Sequence, residues 1–255
     1  KAKQYNLDFQ YRETSMTDED AKFYKLAADG LFKDESKEHK SKGKGDKSDY
    51  GARLHDLQRV VSNSHPNFTQ DKDITEKEVL LIKTIKEIID RNEGTLVYFS
   101  YLDTMRRVES IVKKYQRELG IVNLSSISGS TDQKTRFKIS KELDRKHVVF
   151  ITSAGTESID LEKVNNIIFY EIPFPIREFI QAAGRITRTN TKYGKQTVYI
   201  LEVKNTIDTY KKLRIQSHIG IISGILGGTN TLPVEMINLD YDDREAMKKD
   251  LLWWK

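Results

Sequence analysis

From Gly94 onward the chain alternates short apolar runs with longer mixed stretches: "TLVYFS" (95–100), "NLSSI" (123–127), "HVVFIT" (147–152), "NIIFYE" (166–171) and "QTVYILE" (196–202). Most are rich in Val, Ile and aromatic residues and are bounded by polar residues, so each reads as a strand. The stretches around 103–119, 131–144, 176–184 and 206–222 read as helices. Strands separated by helices of this length predict an α/β fold, a parallel sheet flanked by helices on both faces. In such a sheet ligands bind beyond the carboxyl ends of the strands, where the loops gather.

Upstream of Gly94 the period becomes helical. "TEKEVLLIKTIKEIIDRNEG" (75–94) places Leu81, Ile82, Ile85, Ile88 and Ile89 on one stripe, with Thr75 and Glu78 spaced as a capping box. "ARLHDLQRVVSNSHPNF" (52–68) reads as a helix stopped near Ser64-His65-Pro66, because the residue before a proline is pushed out of the α region. The start is extended, and "TDEDAKFYKLAADGLF" (17–32) follows as a helix with Phe23, Leu26, Ala27 and Leu31 on one face. Thr17 can cap it, and Asp18 to Asp20 suit the positive end of its dipole. "KDESKEHKSKGKGDKSD" (33–49) is almost free of apolar groups and reads as a mobile, lysine-rich surface insertion. The expected division is therefore a helical lead-in over 1–74, an α/β lobe over 75–226 and a tail helix over 227–255. That tail, ending "KKDLLWWK", reads as amphipathic; it docks on the core or turns Trp253 and Trp254 toward another domain.

Composition narrows the chemistry. Of the 255 residues 37% are hydrophobic and 32% charged, which suits a charge-rich globular chain rather than a disordered one. No apolar run approaches the roughly 18 residues of a membrane span, and "KAKQYNLDFQ" lacks the apolar core of a signal peptide, so no membrane partner and a cytoplasmic setting are expected, or nucleus or viral factory for a eukaryotic source. The chain has no cysteine, which excludes disulfides, thiol nucleophiles and zinc–thiolate sites. Its five histidines show no ligand spacing, so no metal site is expected. A net charge of +5 is compatible with a polyanionic partner.

The loops after the third and fourth of these strands carry the candidate chemistry. Thr152, Ser153, Ala154 and Gly155, then Ser158, Ile159 and Asp160, offer small residues whose N–H groups can approach a phosphate, followed by a carboxylate that can orient a hydroxyl or an arginine. After "IPFPI" a short helix delivers Gln181, Gly184, Arg185 and Arg188, and at helical spacing Gln, Arg and Arg project together. Two fork-shaped cations on one face suit the γ-phosphate of a nucleotide held elsewhere. Two look-alikes fail. "GKGDKS" (43–48) breaks the phosphate-loop spacing, and Asp18-Glu19-Asp20-Ala21 sits in a capped helix instead of ending a strand.

In this order the segments from 94 to about 210 resemble the C-terminal RecA-like lobe of superfamily 2 helicases and translocases. "LVYFS" is similar to motif IV, "SISGSTDQKTR" to the segment after it, "TSAGTESIDL" to motif V and "QAAGRITR" to motif VI. Within the superfamily the Snf2-like double-stranded DNA translocases look nearest. "LQRVVSNSHPNF" resembles their leucine-rich segment ending in Asn-His-Pro, "VKNTIDTYKK" their exit from the lobe, and "YRETSMTDEDAKFYKLA" their helical lead-in. Departures bear on substrate choice and coupling. Ser158 stands for a glycine, Ser153 for an arginine and Tyr101 for a glutamine, while Arg185 restores the general GRxxR form, which points to a viral, phage or divergent bacterial source.

The resemblance implies an ATP-dependent motor on nucleic acid, double-stranded DNA foremost. It implies Arg188 as arginine finger, Arg185 as a second γ-phosphate contact and Gln181 as organiser, with Gly155, Asp160 and Gly184 lining the nucleotide face. Ser100, Ser128, Gly129, Ser130 and Thr152 would hold nucleic-acid phosphates. ATP and Mg2+ would be held mainly by an N-terminal RecA-like lobe, since no Walker A lysine, acidic box or adenine-reading glutamine is found here, and the isolated chain is expected to turn over negligible ATP. A strand-separating DNA or RNA helicase lobe, or a degenerate lobe that binds nucleic acid as a scaffold without hydrolysis, are the competing readings.

Overall fold

The structure is a computed structural model that describes residues 6–32, 47–155, 164–186, 195–220 and 222. The insertion over 33–46, the tail over 227–255, Ser158, Asp160 and Arg188 lie outside the described residues. In chain order the elements are β1 (Asn6–Thr14), α1 (Asp18–Phe32), α2 (Lys47–Val61), α3 (Glu76–Asp90), β2 (Thr95–Phe99), α4 (Leu102–Tyr115), β3 (Asn123–Ile127), α5 (Gln133–Glu142), β4 (His147–Thr152), a single 3-10 turn (Ser153–Gly155), β5 (Asn166–Phe169), α6 (Ile176–Ala183), β6 (Lys195–Val203) and α7 (Ile207–Ser217).

The six strands form one sheet in the order β1-β6-β5-β2-β4-β3, and every neighbouring pair is parallel. Parallel strands covered on both faces must be apolar on both, and β2, β4 and β5 are buried along their whole length. Alternate residues serve opposite layers. Leu96, Tyr98, Val149, Ile151, Ile167 and Phe169 pack with Phe179 of α6 and Ile139 of α5, while Val97, Phe99, Val148, Phe150 and Ile168 pack with α3 and α4. The chain leaves β2 for the outer strand β3 and returns to β4, so right-handed crossovers put α4 and α5 on opposite faces, as observed.

The extended start turns out to be a sixth strand. It pairs with β6 from Asn6↔Lys195 to Thr14↔Val203. Leu7, Phe9 and Tyr11 pack on the core, while Asp8 and Arg12 form ion pairs with Lys195 and Glu87 at 2.9 and 2.8 Å. Helix α2 begins five residues before the expected Ala52. Helix α1 packs through Phe23, Ala27 and Leu31 as expected, but Leu26 is 64% exposed and Tyr24 and Ala28 are buried in addition. The small alanines fit α1 against α2, and the Tyr24 hydroxyl accepts the Ile207 N–H at 3.0 Å, which holds Tyr24 inward.

Helix α3 starts with the capping box: Thr75 Oγ1 accepts the Glu78 N–H at 3.3 Å and Glu78 Oε2 accepts the Thr75 N–H at 2.7 Å. Leu81, Ile85, Ile88 and Ile89 are buried, with Ile82 at the margin. Beneath the strand ends Lys77 and Asp208 form a fully buried ion pair at 2.7 Å, with the Lys77 ammonium 4.9 Å from the Tyr170 ring centre.

Candidate functional site at the carboxyl ends of the strands

Two loops meet beyond β3 and β4. After Thr152 the chain makes the 3-10 turn, and Gly155 seats it on the end of β3; a Cβ there would lie 2.5 Å from the Ile127 carbonyl oxygen. Only glycine allows this approach. After Ile127 the chain turns tightly, with the Ser128 N–H donating to Thr131 Oγ1 at 2.9 Å and the Thr131 N–H to the Ser128 carbonyl at 3.1 Å. Gly129 lies against Ala154, and a Cβ on it would be 3.2 Å from the Ala154 methyl.

Arg136, on α5, straps the two loops together. Its Nε donates to the Thr131 carbonyl and its Nη2 to the Ser128 carbonyl, both at 2.8 Å, and Nη1 reaches the Ala154 carbonyl at 3.5 Å. Asp132 caps the helix that carries it, accepting the Thr135 N–H at 2.9 Å, and the Thr135 hydroxyl and amide hold this carboxyl below its ordinary value. The result is a ledge with Gly129, Ser130 and Ala154 exposed and Ser153 half-buried. Ser128 is buried behind it with its hydroxyl 2.9 Å from that of Ser130, and Thr152 is only 7% exposed.

The exit from β2 is built differently from the expectation for Ser100. Its N–H donates to Glu171 Oε2 at 2.9 Å, the Tyr101 N–H donates to the same oxygen at 3.2 Å, and the Ser100 hydroxyl oxygen is shielded from solvent. Glu171 is fully buried and also accepts from Thr104 Oγ1 at 2.9 Å. Burial pushes its carboxyl above the ordinary range, against the pull of Lys77. Tyr101 turns toward α2. Its hydroxyl lies 2.6 Å from His55 Nδ1 and 3.3 Å from Gln58 Oε1. Desolvation lowers the affinity of His55 for a second proton. Close by, the buried Lys211 ammonium donates to Gln58 Oε1 and to the Ile172 carbonyl, and burial pushes its pKa well down.

Helix α6 follows β5 through "IPFP". It buries Ile176, Phe179, Ala182 and Ala183, stacks Phe179 on Phe169 with ring centres 4.1 Å apart, and presents Gln181 to solvent. The α-helix is shorter than the common-face expectation for Gln181, Arg185 and Arg188. Gly184 is its C-cap, and the Arg185 and Ile186 N–H groups bond to the carbonyls of Ala182 and Ala183 at 3.1 and 3.2 Å, a tighter turn than α. Gly184 and Arg185 are half-buried there.

Tyr98 ties β2 to α6: its hydroxyl donates to Glu178 Oε2 at 3.3 Å. Tyr98, Arg136 and Glu171 were not singled out from sequence. The available signal was a polar atom inside an apolar run, in "LVYF" and "IIFYE", since buried polar groups need partners. Among the described residues no cluster of His, Asp or Glu could hold a metal ion, and no helix is long and apolar enough to cross a membrane.

Residues 80–190 match the helicase conserved C-terminal domain. Curated relatives include the DEAD-box ATP-dependent RNA helicase 50 of Oryza sativa subsp. japonica, 24% identical over 128 residues that span 48% of this chain and 20% of that protein. The ATP-dependent RNA helicase p62 of Drosophila melanogaster is 25% identical over 118 residues, 46% of this chain and 16% of its own length. The matched segments thus cover a fifth or less of these relatives. Among solved structures, the Sulfolobus solfataricus SWI2/SNF2 ATPase core in complex with double-stranded DNA superposes with a TM-score of 0.68 at 16% identity, covering 96% of this chain and 50% of that one. The C-terminal domain of the Sulfolobus solfataricus SWI2/SNF2 ATPase gives 0.63 at 15% identity, covering 96% and 97%. At these identities the likeness is one of fold: the parallel α/β architecture is similar to that of the SWI2/SNF2 ATPase C-terminal domain.

Proposed function

We propose, from the match of residues 80–190 to the helicase conserved C-terminal domain, that the chain serves as the second motor lobe of an ATP-dependent, Snf2-like superfamily 2 DNA translocase. The observation that carries the reading is the Arg136-strapped ledge, which offers exposed backbone and hydroxyl groups at the strand ends, where ligands of parallel sheets bind. Gly129 and Ser130 hold backbone phosphates from the ledge, with Ser128 and Thr152 supporting them from beneath. Ser100 anchors the neighbouring turn through Glu171. Such contacts grip without reading sequence. The fold neighbour bound to double-stranded DNA supports a duplex as the track.

The nucleotide lies between this lobe and an N-terminal RecA-like lobe, which holds ATP and its Mg2+. The donors on α6 and its exit are the Gln181 amide and the Arg185 guanidinium, a set that fits phosphate oxygens rather than a metal. Arg188 acts as the finger on the γ-phosphate, Arg185 as a second contact and Gln181 as organiser, with Gly155, Asp160 and Gly184 lining the same face. These cations stabilise charge spreading over the equatorial oxygens in phosphoryl transfer. Closure of the lobes on ATP and opening on release then shift the grip along the strand.

The test is ATP hydrolysis by this segment joined to its native first lobe, with duplex DNA, single-stranded DNA and RNA compared at one salt concentration. Duplex stimulation, lowered on the order of 10³-fold by Arg188→Ala, is expected. Stimulation by single strands or RNA alone would favour a strand-separating helicase, the reading that the names of the curated relatives support. No hydrolysis with any polymer would leave a scaffold.

A further inference from the structure

Helix α5 has two unlike faces. One is held by the protein: the Arg136 guanidinium meets the Ser128 and Thr131 carbonyls at 2.8 Å, and Ile139 is buried in the core. On the other, Lys134, Phe137, Lys138 and Lys141 stand at the i, i+3, i+4 and i+7 positions, which form one stripe on a helix, and all four are exposed. Phe137 is 61% exposed, with the Lys141 ammonium 4.4 Å from its ring centre. Lys138 also meets Glu142, at 3.8 Å in an exposed pair that adds little.

Stability alone does not account for this stripe. The first turn of a helix favours acids, and α1 and α3 have them there in Asp18, Glu19, Asp20, Glu76 and Glu78. Helix α5 has no acid in its first turn and carries Lys134 in that place, against its dipole. A large apolar ring turned to solvent gains nothing from burial either. Side chains that break local rules together mark a surface kept for something other than the fold. Ammonium groups and a ring in one line suit a sugar–phosphate backbone, since cations meet the phosphates and the ring lies on the apolar side of the sugars. Seven helical rises separate Lys134 from Lys141, about 10 Å, over which one strand of a duplex carries about three phosphates.

We propose that the outer face of α5 is a second nucleic-acid contact, continuous with the ledge: Lys134, Lys138 and Lys141 neutralise successive phosphates of one strand of a DNA duplex, and Phe137 packs on the sugars between them. Arg136 ties the same helix to both loops of the ledge, so the two contacts move as one body. The proposal rests on the reading of the ledge as a phosphate grip.

The experiment titrates a fluorescein-labelled DNA duplex with this chain, read by anisotropy at several salt concentrations. The logarithm of the binding constant falls with the logarithm of salt by about 0.9 for each phosphate neutralised, so Lys134→Gln/Lys138→Gln/Lys141→Gln should flatten the slope by about 2 to 3. Phe137→Ala removes apolar contact and no charge, and should weaken binding by about two- to tenfold with the slope unchanged. Glutamine keeps the helix propensity of lysine and all four positions are exposed, so circular dichroism melts should match the wild type. Ser130→Glu sets a like charge before the phosphate at the ledge and should weaken binding by about tenfold or more. A triple variant with the wild-type slope overturns the stripe as a duplex contact, and leaves that face for an acidic protein partner. A Ser130→Glu chain that binds as the wild type does overturns the ledge reading, and a wild-type chain that binds no duplex overturns both.

Discussion

The seat of the 3-10 turn on β3 makes Gly155→Ala a sharp perturbation. The added methyl would lie 2.5 Å from the Ile127 carbonyl oxygen, 3.0 Å from its carbonyl carbon and 3.1 Å from its Cγ2. The turn must retreat by roughly one ångström to restore ordinary contact. Ile127 cannot yield easily, being fully buried and paired with Ile151 in the ladder. Overpacking of this kind costs about 1–3 kcal/mol. For a folded unit of this size each kcal/mol lowers Tm by about 2–4 °C, so a loss of about 2–12 °C is expected. Urea titration followed by circular dichroism gives the free energy directly, and the same variant should bind duplex more weakly because Ala154 is carried away from Gly129. Gly129→Ala is the control. Its methyl would meet only the exposed Ala154 side chain at 3.2 Å, which predicts a cost within about 0.5 kcal/mol. A Gly155→Ala protein as stable as wild type, or a Gly129→Ala protein that loses more, would refute the close seating of the ledge.

Three further outcomes follow from the buried polar groups and the strap. Lys77→Met strands the Asp208 carboxylate and should cost about 3–5 kcal/mol in chemical denaturation, part of it recovered in Lys77→Met/Asp208→Leu. Lys211→Met should be neutral or stabilising by about 1 kcal/mol at pH 7, because the Ile172 carbonyl keeps the Gln58 amide at 3.0 Å and Gln58 Oε1 keeps the Tyr101 hydroxyl. The folded state holds the Lys211 proton more weakly than the unfolded state, so wild-type stability rises with pH between the depressed value and 10.5, and the advantage of the methionine variant shrinks across that window. Denaturation midpoints of the pair at several pH values read this directly. Arg136→Ala should weaken duplex binding by about tenfold, and Arg136→Lys should not restore it, since an ammonium lacks the planar fork that meets the Ser128 and Thr131 carbonyls together; anisotropy titrations decide both.

What could be read from the sequence divides along the range of the interactions. The central strands and α3 were legible because their burial writes itself into local pattern: "LVYF" and "HVVFI" are apolar on both faces, and Thr75 and Glu78 cap within one turn. Strand β1 also carries a local alternation, Leu7, Phe9 and Tyr11 against Asp8, Gln10 and Arg12, but its partner β6 is remote in sequence and nothing nearby names it. On α1 the burial of Tyr24 in place of Leu26 was missed for the same reason, since the contact that holds Tyr24 inward is the Ile207 amide. In the site, Gly155 was read as a glycine that lets a phosphate approach, and the close approach the structure shows there is to the Ile127 carbonyl. The polar ties of Tyr98, Arg136 and Glu171 were not legible, because each depends on which loop the fold brings opposite.

The pairing of β1 with β6 also fixes an order of assembly. Residues 6–14 and the free side of β5 both wait for residues 195–203, so during vectorial synthesis the first strand stays unzipped until nearly two hundred residues have followed it. Contacts so distant in sequence slow folding, and an unpaired edge in the interim invites wrong partners. The sheet therefore grows outward from β2, β4 and β3, and β6 arrives as the strand that closes it, joining β1 to β5.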